Sequence, residues 1–293
     1  MKRTSSKRPV KPVRTTTRSR SKSKKSLPYG KMMTYGLVTL FLLFLLGMAY
    51  NYRNGFLYYL GFKTDKNVND LTEEERKLED IRIFEVLSRH DTKVVGFDVS
   101  EYQSKIAWGK IDKVEDDFPL EFVFVRATAG NDRPDRRFKE NWKAAKEHYF
   151  IRGAYHYYRP NENSIEQAEN FIKVVKLKKG DFPPVLDIEK LPKNQSIDSL
   201  KIGLRRWLKH VERHYKVKPI IYTGESYYTD FLKDEFKGYT FWIANYNFFV
   251  ETIKDDWKFW QFTEKAKIQG IEGLVDVNIF NGSKEELKRM LIK

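Results

Sequence analysis

From Lys93 onward the sequence predicts an α/β fold, a compact barrel of eight strands. Short β-branched and aromatic runs alternate with helix-sized segments, as in parallel strands joined by crossover helices. Eight such runs fit into about 190 residues, which suits an irregular barrel better than an open sheet. The acids Asp98, Asp187, Glu189 and Asp276 fall in or at the ends of three of those runs, where barrel chemistry gathers.

The strands are expected at 94–98, 122–128, 151–158, 184–189, 219–223, 240–244, 258–262 and 274–280. Helices are expected at 135–149, 164–177, 196–215, 226–231 and 284–291. The first five strands are separated by helix-sized gaps, and the last three follow through shorter connections.

The stretch Pro184-Val185-Leu186-Asp187-Ile188-Glu189 carries the chemistry. Side chains alternate faces along a strand, so Asp187 and Glu189 project the same way. Two neighbouring carboxylates repel, which raises one of the pair's apparent pKa values. A carboxylic acid still protonated near neutral pH is what glycosidic bond cleavage requires.

The net charge of +15 is concentrated at one end. Residues 1–31 hold twelve Lys and Arg and no acid; the remaining 262 carry 43 basic and 40 acidic groups. The globular part therefore lacks the basic footprint of a nucleic-acid binder. The tail's Ser/Thr/Arg/Lys composition cannot build a core and reads as disordered. Residues 32–52 are 21 uncharged residues that rise roughly 30 Å as a helix, the thickness of a bilayer's hydrocarbon core. Lys31 and Arg53 bracket them, and Tyr35, Tyr50 and Tyr52 sit where interfacial aromatics belong. A cleaved signal peptide fits less well: its charged region is normally short, and no A-x-A site follows. The expectation is a single-pass signal anchor in the cell membrane. Its N-terminus is cytoplasmic, and residues 53–293 lie in a periplasmic or extracellular space. The domain without any cysteine must then rely on its core alone.

Residues 53–92 read as a juxtamembrane stalk containing a helix. Asp70 or Thr72 serves as its cap, three acids fill its first turn, and Leu78, Ile81, Phe84, Val86 and Leu87 form a partial apolar stripe able to dock. The barrel domain proper is expected over 93–293. His210 and His214 have metal-ligand spacing, but the intervening Glu212 is misplaced for a zincin, so neither a metal nor a cofactor is expected. His156 reads as a packed barrel residue.

Eight pieces in order resemble glycoside hydrolase family 25, the Chalaropsis-type lysozymes or N,O-diacetylmuramidases. They begin with Gly96-Phe97-Asp98-Val99-Ser100 followed by Gln103 and Trp108, then Phe122-Val123-Phe124-Val125-Arg126-Ala127-Thr128 and Gly153-Ala154-Tyr155-His156-Tyr157-Tyr158. The D-x-E strand comes next, then Ile221-Tyr222-Thr223, Trp242-Ile243-Ala244-Asn245-Tyr246, Trp260-Gln261-Phe262-Thr263 and Val275-Asp276-Val277-Asn278. The resemblance implies a modified (β/α)5(β)3 TIM-like barrel that hydrolyses the β-1,4 bond between N-acetylmuramic acid and N-acetylglucosamine. Peptidoglycan glycan strands would be its partner. Glu189 falls on the family's general acid, and Asp187, Asp98 and Asp276 on its other active-site carboxylates. Retention with the substrate's acetamido group as nucleophile is implied, a carboxylate nucleophile being the alternative. Two departures stand out: Ala129 replaces the family's acid after the second strand, and Ala107 replaces the Asp before Trp108.

Tyr157, Tyr222, Trp242 and Trp260 lie near strand ends, where aromatic faces stack on sugars, and Asn245 and Gln261 are candidates for hydrogen bonds to hydroxyls or acetamides. A chitinase would need acids at Phe182 and Val185 and is disfavoured. A non-catalytic wall tether would tolerate loss of an acid, and all four are present.

Overall fold

The structure is a computed structural model that describes residues 29–51, 72–115, 117–250 and 252–293. The basic tail and most of the segment between helix and barrel lie outside the described residues. The chain divides between Tyr52 and Arg53 into two compact units.

The first unit contains helix α1 (Tyr29–Asn51), 23 residues with no acid in its first turn and no base in its last. The seven consecutive residues from Leu40 to Leu46 are all apolar and all exposed, and seven successive positions go fully round a helix, so this stretch is apolar on every side. Among the described residues no helix is long and apolar enough to cross a membrane.

The second unit is the barrel. Its eight staves are β1 (Val94–Val99), β3 (Phe118–Ala129), β5 (Ile151–Tyr157), β6 (Val185–Asp187), β7 (Ile220–Gly224), β8 (Thr240–Ala244), β9 (Phe259–Ala266) and β10 (Val275–Phe280). They pair in that order, and β10 closes on β1. All neighbours are parallel except around β10, which runs antiparallel to both β9 and β1. Short strands β2 (Lys113–Val114) and β4 (Arg133–Pro134) pair with β3 outside the ring. Because β10 is reversed, its beginning shares a rim with the C-terminal ends of the other staves. That geometry sets Asp276 opposite Asp98.

Four further helices wrap the barrel: α3 (Phe138–Glu147), α4 (Ser164–Val174), α5 (Ile197–Tyr215) and, after the short turn α6 (Glu225–Tyr227), α7 (Lys284–Met290). In α5, Leu200, Leu204, Trp207, Leu208 and Val211 recur at helical spacing and are buried, and Ser196 caps the start through its hydroxyl. Residues 228–232 continue α6 as one π-helical turn.

The barrel interior is plugged with aromatic rings. Phe122, Phe124, Phe182 and Phe259 meet edge-on or tilted with centroids 5.0–5.7 Å apart, and Trp242 stacks on Phe124 at 4.5 Å. Gly96 and Gly153 are required by that plug. A Cβ on Gly96 would lie 2.4 Å from the Phe122 ring, and one on Gly153 would lie 2.3 Å from Phe124. The second cluster of core residues lies between staves and helices.

Helix α2 (Glu73–Arg89) starts at Thr72, whose side chain closes a capping box with Glu75. Expected within a stalk, it packs against the barrel: Ile83, Val86 and Leu87 are buried in the outer core. Arg82 donates to the Phe262 carbonyl at 2.6 Å, and Glu79 accepts from the Thr263 hydroxyl at 2.8 Å. The compact unit that holds the barrel therefore includes α2, well before residue 93.

Candidate active site

The four expected acids meet at one end of the barrel. They line a well of about 190 Å³ together with Tyr155, Tyr222, Trp242, Tyr246, Gln261 and Glu264. Below it lies the aromatic plug, so charges at its base face a poorly polarisable floor. A broader recess of about 780 Å³ adjoins it and shares Glu189, Tyr222 and Tyr246.

Asp98, near the end of β1, is buried and held by a chain of donors. Its Oδ2 accepts from Gln261 Nε2 at 2.7 Å and from Asn278 Nδ2 at 2.8 Å. Behind these amides, Trp242 Nε1 donates to Asn278 Oδ1 at 2.7 Å, and Tyr222 donates to Gln261 Oε1 at 2.7 Å. Tyr246 also donates to Gln261 Oε1. Burial pushes Asp98 up to about 7; the two amide hydrogen bonds oppose the rise and the charge of Glu189 adds to it.

Asp187 is the last residue of β6, buried, and paired in register with Tyr157 and Tyr222. Burial first, and then Glu189, hold its carboxyl well above the ordinary range. Its Oδ1 is buried without a hydrogen-bond partner. An unsatisfied buried acceptor at the base of a well is a place prepared for a ligand's donor. Glu189, two residues on, has left the strand and is exposed to solvent. Asp276 is half-buried and also held well above the carboxylate range, by burial and then by Asp98, Glu264 and Glu189. Arg126, clasped by Asp135 at 2.9 Å and Glu101 at 3.2 Å, offsets some negative charge at Asp187.

A consequence for stability can be measured. The unfolded chain titrates Asp98 near 3.8 and the folded protein near 7. Between those values the folded state holds the extra proton, so stability falls as pH rises through that window. The difference amounts to at most about 4 kcal/mol. Asp98→Asn keeps an oxygen for both amide donors and removes the charge. It should raise Tm at pH 8 and leave it unchanged at pH 4; an equal shift at both pH values would refute the assignment.

The remaining expected residues separate by role. Tyr222 and Trp242 line the well, though Trp242 is buried and stacked on Phe124. Asn245 lines the broader recess, with its Nδ2 donating to Glu225 and its Oδ1 accepting from the Asn247 amide at 2.8 Å. Tyr157 lies outside the lining of the well, with the Lys190 ammonium 5.7 Å from its ring centre. Gln261 is buried with both ends of its amide engaged, so it positions Asp98 rather than offering itself to a sugar.

Trp260 corrects the sequence reading. It is fully buried in the outer core, its ring edge-on to His90 and its Nε1 donating to the Asn245 carbonyl at 3.0 Å. Strand alternation is the reason: with Gln261 facing inward, Trp260 must face out. The sequence reading missed Tyr155, Tyr246, Glu264 and Asn278. Asn278 was accessible to the same i, i+2 argument that joined Asp187 to Glu189. His156 is fully buried between Thr128 and Gln167, and burial pushes it down to about 3, so it stays neutral. His210 is committed to Glu169. Among the described residues no group of His, Asp or Glu is arranged to hold a metal ion.

The family model for glycosyl hydrolases family 25 matches residues 97–271, more than half of the chain. An uncharacterized protein of Escherichia coli K12, YegX, is 39% identical over 197 residues, covering 66% of this chain and 71% of its own. Lysozyme M1 of Streptomyces globisporus is 31% identical over 210 residues, covering 66% of this chain and 70% of its own. A family 25 glycosyl hydrolase structure from Bacillus anthracis superposes with a TM-score of 0.61 at 28% identity, covering 69% of this chain and 95% of that one. With the barrel, its reversed closing strand and its rim of acids, these matches place the chain in glycosyl hydrolase family 25, as a glycoside hydrolase of the lysozyme and muramidase type.

Proposed function

We propose that the protein is a membrane-anchored muramidase that cleaves the β-1,4 bond after N-acetylmuramic acid in peptidoglycan, remodelling the wall close to its own membrane. The observation that carries this reading is the division of labour within the D-x-E pair. Glu189 stands exposed at the lip, where a glycosidic oxygen can reach it, and Asp187 is buried with Oδ1 unpartnered. Glu189 gives its proton to the leaving oxygen as the bond to C1 breaks. An acetamide N–H donating to Asp187 Oδ1 favours the carboxylate over the acid, so substrate binding itself ionises Asp187. The polarised acetamide oxygen then closes on C1, and water, deprotonated by Glu189, opens the ring it forms. Asp98 and Asp276, which burial holds toward their protonated forms in the empty well, are drawn to ionise as positive charge develops beside them and then stabilise it. The names of related proteins, lysozyme and N,O-diacetylmuramidase, agree with this substrate.

The anchoring part rests on α1, apolar on every side, and on the twelve positive charges preceding the uncharged run. A cytoplasmic reporter fused after Lys293 should be silent, and activity there would end the topological proposal. Digestion of purified peptidoglycan should leave reducing-end N-acetylmuramic acid, identified by borohydride reduction and sugar analysis. Reduced glucosamine alone would overturn the muramidase reading.

A further inference from the structure

Strand β9 is bulged twice beside the well. Its pairing with β10 runs Asn278↔Gln261, Val277↔Thr263 and Val275↔Ala266, so β9 spends an extra residue at each of two steps. Phe262 is the extra residue of the first step. On its other edge β9 pairs with β8 as far as Ala244↔Gln261, and the Asn245 amide then donates to the Gln261 carbonyl at 3.0 Å. Among the described residues, Phe262 has no strand partner on either edge, and its carbonyl needs a donor from elsewhere. Past the bulge alternation resumes one residue out of phase, and Glu264 lines the well where Thr263 would otherwise stand.

The donor is Arg82 of α2, a helix that precedes the residues 97–271 matching the family model. Its side chain is buried, Nη1 donates to the Phe262 carbonyl at 2.6 Å, and Nη2 donates to the Asn247 carbonyl at 3.4 Å. The flat guanidinium thus joins the two backbones just where their ladder ends. Asn247 belongs to a compact turn: its carbonyl also accepts from the Val250 amide at 3.0 Å, and its amide donates to Asn245 Oδ1 at 2.8 Å. Tyr246 sits between these two asparagines, half-buried on the wall of the well, and its hydroxyl donates to Gln261. Gln261 in turn donates to Asp98 at 2.7 Å. Glu79, one helical turn before Arg82, takes the Thr263 hydroxyl, so α2 grips β9 at two consecutive residues.

We propose that Arg82 is a positioning residue for the reaction. By bridging the Phe262 and Asn247 carbonyls it keeps Tyr246 on Gln261, and so keeps the Gln261 amide on Asp98. Arg82 is not part of the lining of the well; it acts through the turn that carries Tyr246. Loss of the bridge lets Tyr246 swing outward and admits water to Asp98. That water relieves the burial that dominates Asp98, whose charged neighbours across the well are Glu189, Asp187 and Asp276. The inference rests on the muramidase reading for the reaction whose rate is measured, while the arrangement of the well can be measured without it.

The test uses the full-length protein as Tyr246→Phe, as the pair Arg82→Met/Glu79→Leu, which removes the bridge without stranding a charge, and as all three substitutions together. On peptidoglycan, well below the Tm of each form, the pair should lower kcat about tenfold and leave KM within about twofold of wild type. Tyr246→Phe should lose a similar factor, and the combined variant no more than either alone, since both break one chain. Losses that multiply in the combined variant would refute the assignment, and so would a pair that keeps wild-type kcat. Should the pair unfold, Arg82→Lys keeps a cation beside Glu79 but replaces the fork with a single ammonium, and wild-type kcat there would equally refute it. The Asp98 carboxyl resonance is a readout that lost stability alone would not move. It should titrate below about 7 in the pair, and an unchanged titration would overturn the role of Arg82. If wild type cuts no peptidoglycan, the muramidase reading falls and the Asp98 titration alone decides that role.

Discussion

Glu189→Gln should lose between about two and four orders of magnitude in turnover while the protein stays folded and still binds wall. The substitution keeps the side chain's shape and hydrogen bonding and removes only the transferable proton. Glu189 is exposed just beyond β6, and glutamine keeps its size and hydrogen-bonding capacity, so the change in stability should stay within about 0.5 kcal/mol. A second signature follows from its charge. Glu189 is among the groups that raise both Asp98 and Asp187, so Glu189→Gln should move the Asp98 titration below its value of about 7. That movement can be read from the carboxyl carbon resonance across a pH series. Near wild-type activity in a folded Glu189→Gln protein would remove the carboxylate mechanism and leave a wall-binding tether as the better account.

Much of this architecture was legible because barrel staves announce themselves locally. The run from Val94 to Val99, the alternation within Ile151–Tyr157 and the Asp-x-Glu exit of β6 each follow from short-range patterns. The acids were found by the same logic, since a carboxylate following an apolar strand has few places to go except the rim. Pairing was harder to see. Nothing local in Val275–Phe280 reveals that the strand runs backwards, yet only that reversal puts Asp276 beside Asp98. The bulges of β9 were equally hidden. An extra residue changes the parity of everything after it, and Thr263 and Glu264 exchange faces without any change in composition. Trp260 was misplaced for a related reason: nearness to a strand end says nothing about which face an aromatic occupies. The docking of α2 depended on partners about 180 residues away, beyond the reach of a window-based reading.

That docking leads to the largest expected effect on stability. Arg82 and Glu79 are both about 98% buried, with charged atoms 3.9 Å apart, and Arg82 also lies over the Phe262 ring at 5.9 Å. Removing one member of such a pair leaves the other charge in a poorly solvated place, at a cost of about 3–5 kcal/mol. Arg82→Met fills the volume but strands Glu79, and in a domain of this size Tm should fall by roughly 10 °C. The double variant Arg82→Met/Glu79→Leu should recover most of the loss, because an apolar pair of similar volume replaces the ion pair without an orphan charge. A fall of less than about 1 kcal/mol in Arg82→Met, measured by denaturant unfolding, would mean that α2 rests on the barrel without supporting it.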